Sequence, residues 1–297
     1  MFEGSYVAMV TPFRNGKVDE DGVCALVDFH LENGTHGIVA CGTTGEAATL
    51  SHEEQDNVIG LIIKRVDGRI PVIAGSGSNS TAEAIRRTEF AKKVGANGAL
   101  VVVPYYNKPT QEGLYLHFKA VAEAVDIPIV VYNVPGRTVI NIEPETVARL
   151  ASDIPNIVAI KEASGSLPRI CDVIDKCPDE FVVLSGDDFV NLPLMMMGGK
   201  GTISVTANVA PADVSAMCQA QLDGDSARAL ELHYKMWELN KMMFVESNPI
   251  PAKATLHLMG KCDLEFRLPL CPPSADNMKK LEAFAKSYGL VGEAVMV

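Results

Sequence analysis

Tryptophan is almost absent from the chain, with one in 297 residues, and none of the seven cysteines forms a C-x-x-C pair. An odd cysteine number without paired spacing argues against a disulfide framework. It favours reduced, mostly buried thiols, the pattern of a cytoplasmic protein. No apolar run approaches the ~18 uninterrupted residues that a membrane span requires. The N-terminus, Met1-Phe-Glu-Gly-Ser-Tyr6, lacks a basic segment followed by an apolar one, so no signal peptide is expected. Positive charge is in deficit, with 26 Lys and Arg against 37 Asp and Glu and a net charge of -11. That balance argues against a nucleic-acid or anionic-membrane surface, while a local cationic pocket for a small anion remains open. The six histidines (His30, His36, His52, His117, His233, His257) have no metal-ligand spacing. His52-Glu-Glu lacks the second histidine of H-E-x-x-H, and Asp187-Asp188 has no histidine near it, so no metal is expected.

What the chain does have is a regular alternation of short apolar runs and helical patterns. The runs are Tyr6 to Val10, Gly37 to Ala40, Pro71 to Ala74, Ala99 to Val103, Ile129 to Tyr132, Ile157 to Ile160, Phe181 to Leu184 and Thr202 to Val205. Runs without polar alternation read as strands covered on both faces, hence parallel pairing. Helix starts fall between them: Asp19 as a cap, capping boxes at Ser51-His-Glu-Glu54 and Ser80-Thr-Ala-Glu83, and Pro144 and Pro211 at first helical positions. Strand–helix units in this number match a (β/α)8 barrel better than an open doubly wound sheet. From about Asp225 the pattern is helical only, with two or three further helices. The expected organisation is a barrel over residues 1–224 and a small C-terminal helical domain over 225–297.

In such a barrel the chemistry gathers at the C-terminal ends of the strands. The run Asn156-Ile-Val-Ala-Ile-Lys161 delivers a lysine there. Burial disfavours an ammonium, and a neutral amine attacks a carbonyl to form a Schiff base. Tyr132 falls at the end of the neighbouring strand, where a phenol can relay the protons that imine formation requires. Gly42-Thr43-Thr44-Gly45-Glu46 follows the second run, and its glycines allow a turn of inward N–H groups suited to a small carboxylate. Gly75-Ser-Gly77 lacks the third glycine of a dinucleotide fingerprint and is discounted.

Taken together, these stretches resemble the dihydrodipicolinate synthases, within the pyruvate-dependent class I aldolases and lyases. The resemblance spans essentially the whole chain. It is carried by Gly4-Ser-Tyr-Val-Ala-Met-Val-Thr-Pro12, Gly42-Thr-Thr-Gly-Glu46, Pro104-Tyr-Tyr-Asn-Lys-Pro109, Tyr132-Asn-Val-Pro-Gly-Arg-Thr138, Ile160-Lys-Glu-Ala-Ser164, Leu184-Ser-Gly-Asp-Asp188, Ser204-Val-Thr-Ala-Asn208, Asn248-Pro-Ile-Pro251 and Arg267-Leu-Pro269. It implies that Lys161 forms a Schiff base with pyruvate and that Tyr132, Thr43 and Tyr106 relay protons, with Tyr106 donated across a subunit interface. It further implies that Thr43 and Thr44 hold the pyruvate carboxylate. Arg137 would support the tyrosine and bind the carboxylate of L-aspartate 4-semialdehyde, and Gly186 and Ile203 would contribute backbone contacts. No cofactor is implied, because the imine itself is the electron sink. The implied assembly is a homotetramer, a dimer of tight dimers, in the diaminopimelate route to lysine.

Other readings share the scaffold: an N-acetylneuraminate lyase, a 2-keto-3-deoxy sugar-acid aldolase, or a non-catalytic binding relative. Arg137 discriminates, because a guanidinium offers a bidentate partner to a short carboxylated aldehyde, whereas a sugar aldehyde mainly needs hydroxyl partners. The resemblance also implies an effector pocket for L-lysine lined by Ala47, Ala48, His52, Gln55, Asn79, Glu83 and Tyr105. There the chain departs from lysine-sensitive relatives, which usually carry serine at position 47 and histidine at position 55. With Glu83 intact, lysine is expected to bind and inhibit, more weakly than in fully matched relatives.

Overall fold

A computed structural model describes residues 2–291. Eight parallel strands close into a barrel. They are β1 (Gly4–Ala8), β2 (Gly37–Ala40), β3 (Val72–Gly75), β4 (Gly98–Val102), β5 (Ile129–Asn133), β6 (Ile157–Glu162), β7 (Val182–Ser185) and β8 (Gly201–Ser204). Consecutive strands pair in parallel, and β8 returns to β1. Every expected run is a strand, its ends shifted by a residue or two.

Strand alternation sorts the apolar runs into two cores. Tyr6, Val39, Ile73, Leu100, Val130, Ala159, Leu184 and Ile203 fill the barrel interior. Their neighbours, such as Val7, Ile38, Val101, Val131, Ile160 and Val183, face the surrounding helices. Both faces are buried, which is why the runs show no polar alternation. A two-stranded antiparallel ribbon, Phe13–Arg14 against Lys17–Val18, interrupts the first β–α connection. Nothing in the sequence pattern had signalled it.

Helix starts follow the capping chemistry at most positions. Asp19 accepts from the Gly22 N–H, and Ser51 and Glu54 close a reciprocal capping box ahead of the helix His52–Val66. The second expected box does not form. Ser80 makes no side-chain cap to the helix Thr81–Lys93, and Glu83 turns away from it. Glu83 instead accepts from Ser78 Oγ, pairs with Arg87 Nη2 at 2.6 Å and lies 2.7 Å from His52 Nε2. Charge-assisted partners outcompete a neutral backbone N–H.

Among the described residues three helices follow the barrel: Ser226–Met243, Ile250–Leu258 and Ala275–Tyr288. The segment joining the first two runs to the C-terminal mouth of the barrel, where Asn248 reaches Thr44. Among the described residues no helix is long and apolar enough to cross a membrane.

Candidate active site

Lys161 lies within β6 rather than beyond its end, with its side chain turned into the barrel and 5% exposed. Its strand neighbour Glu162 points the opposite way and is fully buried. Glu162 accepts from the Asn133 amide, the Ser164 N–H and Arg169 Nε, the last at 3.0 Å. A buried carboxylate so fully partnered pins the strand end and leaves the adjacent lysine alone on the inner face. The barrel register sets Tyr132 of β5 beside Lys161, and Lys161 Nζ stands 4.4 Å from the tyrosine ring centroid. Gly186, just after β7, makes room for the lysine stem. A Cβ there would sit 2.8 Å from Lys161 Cε and 2.7 Å from Ala163 Cβ.

The turn after β2 is closed by Gly45 N–H to Gly42 O and Glu46 N–H to Thr43 O, both 3.1 Å. It is fixed from the far end of the chain. Asn248 Nδ2 donates to Thr44 Oγ1 at 3.0 Å. Glu46, in left-handed backbone with φ 55°, pairs with Lys253 Nζ at 2.6 Å, both side chains fully buried. Lys253 Nζ also stands 4.0 Å from the centroid of the Phe13 ring. Burial pulls the Lys253 ammonium below its ordinary value, and the Glu46 carboxylate opposes that shift. Gly75 and Gly77 have a packing role: added Cβ atoms would come within 2.2 Å of Cys41 O and 2.3 Å of Val102 N.

These elements enclose a cavity of ≈ 220 Å³ at the barrel mouth. Thr43, Thr44, Tyr132, Arg137, Lys161 and Gly186 all line it, as expected. Asp187, Phe189, Val205, Phe244 and Asn248 complete much of the wall. Arg137 donates from Nη2 to Asn248 O at 3.0 Å, so its guanidinium is steadied by the C-terminal segment. Burial, with the neighbouring Asp188 charge adding to it, holds the Asp187 carboxyl above the usual carboxylate range. Asp188 is buried for another purpose, accepting the Val205 and Thr206 N–H groups at 2.9 Å each.

Two expected site residues are not brought to the cavity wall. Ile203 belongs to the apolar layer inside the barrel. Tyr106, in left-handed backbone with φ 74°, is 90% exposed and outside the cavity of its own chain.

A second cavity, ≈ 500 Å³, adjoins the first through Thr43 and Tyr132. Ala47, Ala48, His52, Gln55, Glu83 and Tyr105 line it. Asn79 stands behind, donating from Nδ2 to Tyr105 O at 3.2 Å. Gln55 is buried, its Nε2 committed to Gly75 O at 2.7 Å and its Oε1 without a partner. Arg87, also on this wall, was missed by the sequence reading, as were the tertiary partners of Glu46 and Thr44. Lys253 had left a signal: a lysine amid Ile250-Pro-Ala-Lys-Ala-Thr-Leu256 demands a buried partner. Arg87 had left none.

Chemically, the first cavity offers a primary amine beside a phenol, a hydroxyl-bearing turn and a guanidinium. That set suits imine chemistry on a carboxylated carbonyl compound. A model of the dihydrodipicolinate synthetase family matches residues 1–288. The chain belongs to this family. Among relatives, it is 56% identical over 291 residues to a 4-hydroxy-tetrahydrodipicolinate synthase of Geotalea uraniireducens, covering 98% of this chain and 100% of the relative. A crystal structure of the chloride-inhibited dihydrodipicolinate synthase from Acinetobacter baumannii complexed with pyruvate superposes with a TM-score of 0.96 at 49% identity, covering 98% of this chain and 100% of that one. A family member from Cyanidioschyzon merolae with lysine bound gives a TM-score of 0.94 at 41% identity, covering 98% and 99% of the two chains.

Proposed function

We propose that the chain is a 4-hydroxy-tetrahydrodipicolinate synthase, joining pyruvate to L-aspartate 4-semialdehyde in the cytoplasm. The observation that carries this reading is Lys161, a buried amine alone on the inner face of β6 and in register with Tyr132. Lys161 Nζ attacks the keto carbon of pyruvate, and water leaves as the C=N bond forms. The iminium withdraws electrons from the methyl group, a proton departs, and the enamine carbon attacks the aldehyde. Tyr132 and Thr43 carry protons. The N–H groups around Thr43 and Thr44 take the pyruvate carboxylate, with a backbone contact from Gly186. Arg137 takes the carboxylate of the aldehyde. A cavity of ≈ 220 Å³ with a guanidinium in its wall suits these short acids better than a sugar.

Tyr106 completes the relay from another subunit of a homotetramer; its exposure in a single chain supports that placement. With pyruvate saturating, turnover is expected with aspartate semialdehyde and not with N-acetylmannosamine. The opposite preference would refute the reading.

The second cavity takes L-lysine in this reading, with Glu83 on the α-ammonium and Asn79 and Tyr105 on the carboxylate. Arg87 already pairs with Glu83 at 2.6 Å, so an incoming ammonium competes with a resident cation. Inhibition is therefore expected to be weak. Calorimetry at millimolar L-lysine decides it: no heat, with an unchanged initial rate, would remove lysine as an effector.

A further inference from the structure

The turn proposed to hold the pyruvate carboxylate carries a charge of the wrong sign for that task. Glu46 ends Gly42-Thr43-Thr44-Gly45-Glu46 and is its one ionisable residue. Its side chain is buried, and its backbone is left-handed, with φ 55°. Glycine or asparagine takes that conformation at lower cost, so the glutamate stands there for its side chain. The N–H groups of Gly45, Glu46 and Ala47 turn back onto the carbonyls of Gly42 and Thr43. Those of Thr43 and Thr44 have no acceptor among the described residues, which leaves them for an anion. A carboxylate so close to them in the chain opposes any anion they receive.

Lys253 is the one cation paired with that carboxylate among the described residues, its Nζ 2.6 Å from Glu46 Oε1. Arg267 reaches Glu46 only with its backbone N–H, at 3.4 Å, because its guanidinium is held by both oxygens of Glu54. Phe13 and Phe266 flank the Lys253 ammonium, with ring centroids at 4.0 and 5.1 Å. A buried ion pair in such apolar company adds little net stability, and an apolar pair of like volume serves a fold as well. What the pair does for the adjoining turn explains it better. Asn248, earlier in the same segment, holds Thr44 Oγ1 at 3.0 Å, so the segment grips the turn at two points.

We propose that Lys253 is a positioning residue for the keto-acid carboxylate: by pairing with Glu46 it cancels the negative charge of the turn and keeps the Thr43 and Thr44 N–H groups attractive to an anion. This rests on the Schiff-base reading above. With the pair intact, the carboxylate of a keto acid meets two N–H dipoles and a neutral neighbour. Without the cation, it meets a like charge inside the protein, where screening by water is weak. The penalty falls on binding of a charged ketone. It does not fall on a neutral ketone, nor on the chemistry at Lys161 once the carboxylate is seated.

Lys253→Gln keeps a hydrogen-bond donor and drops the charge; Lys253→Met serves the same purpose if the glutamine variant does not fold. They are compared with Glu46→Gln and with the double variant Glu46→Gln/Lys253→Gln. The work is done at pH 8, well above the ordinary carboxyl range. Two ketones are used: pyruvate, and methyl pyruvate, its uncharged ester. The readout is the concentration that gives half-maximal borohydride-trapped adduct on Lys161. Loss of the cation is expected to raise that concentration about tenfold for pyruvate, the scale on which one unpaired like charge acts. Methyl pyruvate, and kcat at saturating pyruvate, should be unchanged. Glu46→Gln should not raise the pyruvate value, and the double variant should return it toward that of the unsubstituted protein. Equal losses on both ketones, a Glu46→Gln loss as large as that of Lys253→Gln, or no change in any variant would each overturn the inference. If the unsubstituted protein traps no pyruvate, the Schiff-base reading itself fails, and that failure is visible without any variant.

Discussion

Tyr132 and Lys161 face each other in register across adjacent parallel strands, with the amine nitrogen 4.4 Å from the centroid of the phenol ring. Two rigid strands hold them, so their spacing does not depend on a loop. The segments beyond the strand ends supply the remaining groups: the Thr43–Thr44 turn, Arg137 on the one-turn helix Pro135–Thr138, and Asp187, each tied down by a contact of its own. Asn248 joins two of them, donating to Thr44 with its side chain and accepting from Arg137 with its backbone carbonyl. The two sides of the cavity are thereby spaced by one residue of the C-terminal segment.

The proposed function assigns Arg137 to the second substrate. Arg137→Ala is expected to lower kcat/KM for aspartate semialdehyde by about tenfold or more, as loss of a bidentate charged contact does. The yield of borohydride-trapped pyruvate should stay level. Parallel loss in both steps would make Arg137 a support for the site rather than a substrate ligand.

The proposed function places Tyr106 in the site of a neighbouring subunit. Tyr106→Ala and Lys161→Ala are each expected to be nearly inactive as pure assemblies. Hybrids formed by co-expression should recover activity, because one subunit type supplies the lysine and the other the tyrosine. Hybrids no more active than either parent would place Tyr106 outside the reaction.

The Glu46–Lys253 pair ties the turn after β2 to the helix Ile250–Leu258. Lys253→Met should destabilise the fold by ~3–5 kcal/mol, because it leaves Glu46 buried and unpaired. Adding Glu46→Gln should restore part of that loss. Thermal unfolding of the two variants measures it; equal stability of single and double variants would contradict the pairing argument.

Much of the site was legible in the sequence for a physical reason. A strand buried on both faces must be continuously apolar, so a lysine ending Ile157-Val-Ala-Ile160 stands out, and its partner strand follows from barrel order. What escaped depended on juxtaposition between distant segments. Ser80-Thr-Ala-Glu83 has the spacing of a capping box, yet Glu83 meets Arg87, His52 and Ser78, and these win. Arg87 looked like any helix-surface arginine. Asn248 and Arg267 could be recognised as family motifs, but not as ties to Thr44 and Glu54. Tyr106 could be recognised too, and a single chain gives it nothing to touch in the cavity.

Acid sensitivity should report one of those ties. Arg267 holds Glu54 through hydrogen bonds to both carboxylate oxygens, and this lowers the Glu54 carboxyl from 4.5 to about 2. A carboxyl whose folded value is depressed stabilises the fold above its unfolded value. That contribution is lost as pH falls from 4.5 through about 2. Arg267→Leu should lower stability at neutral pH and flatten its decline over that window. Denaturant unfolding at stepped pH measures it, and an unchanged acid limb would contradict the assignment.

The Schiff base on Lys161 is the claim on which the rest depends. Incubation with pyruvate and borohydride, followed by peptide mapping, tests it most directly. The adduct should map to Lys161 and vanish in Lys161→Ala. An adduct of unchanged yield in that variant, on Lys253 or any other lysine, would contradict the account.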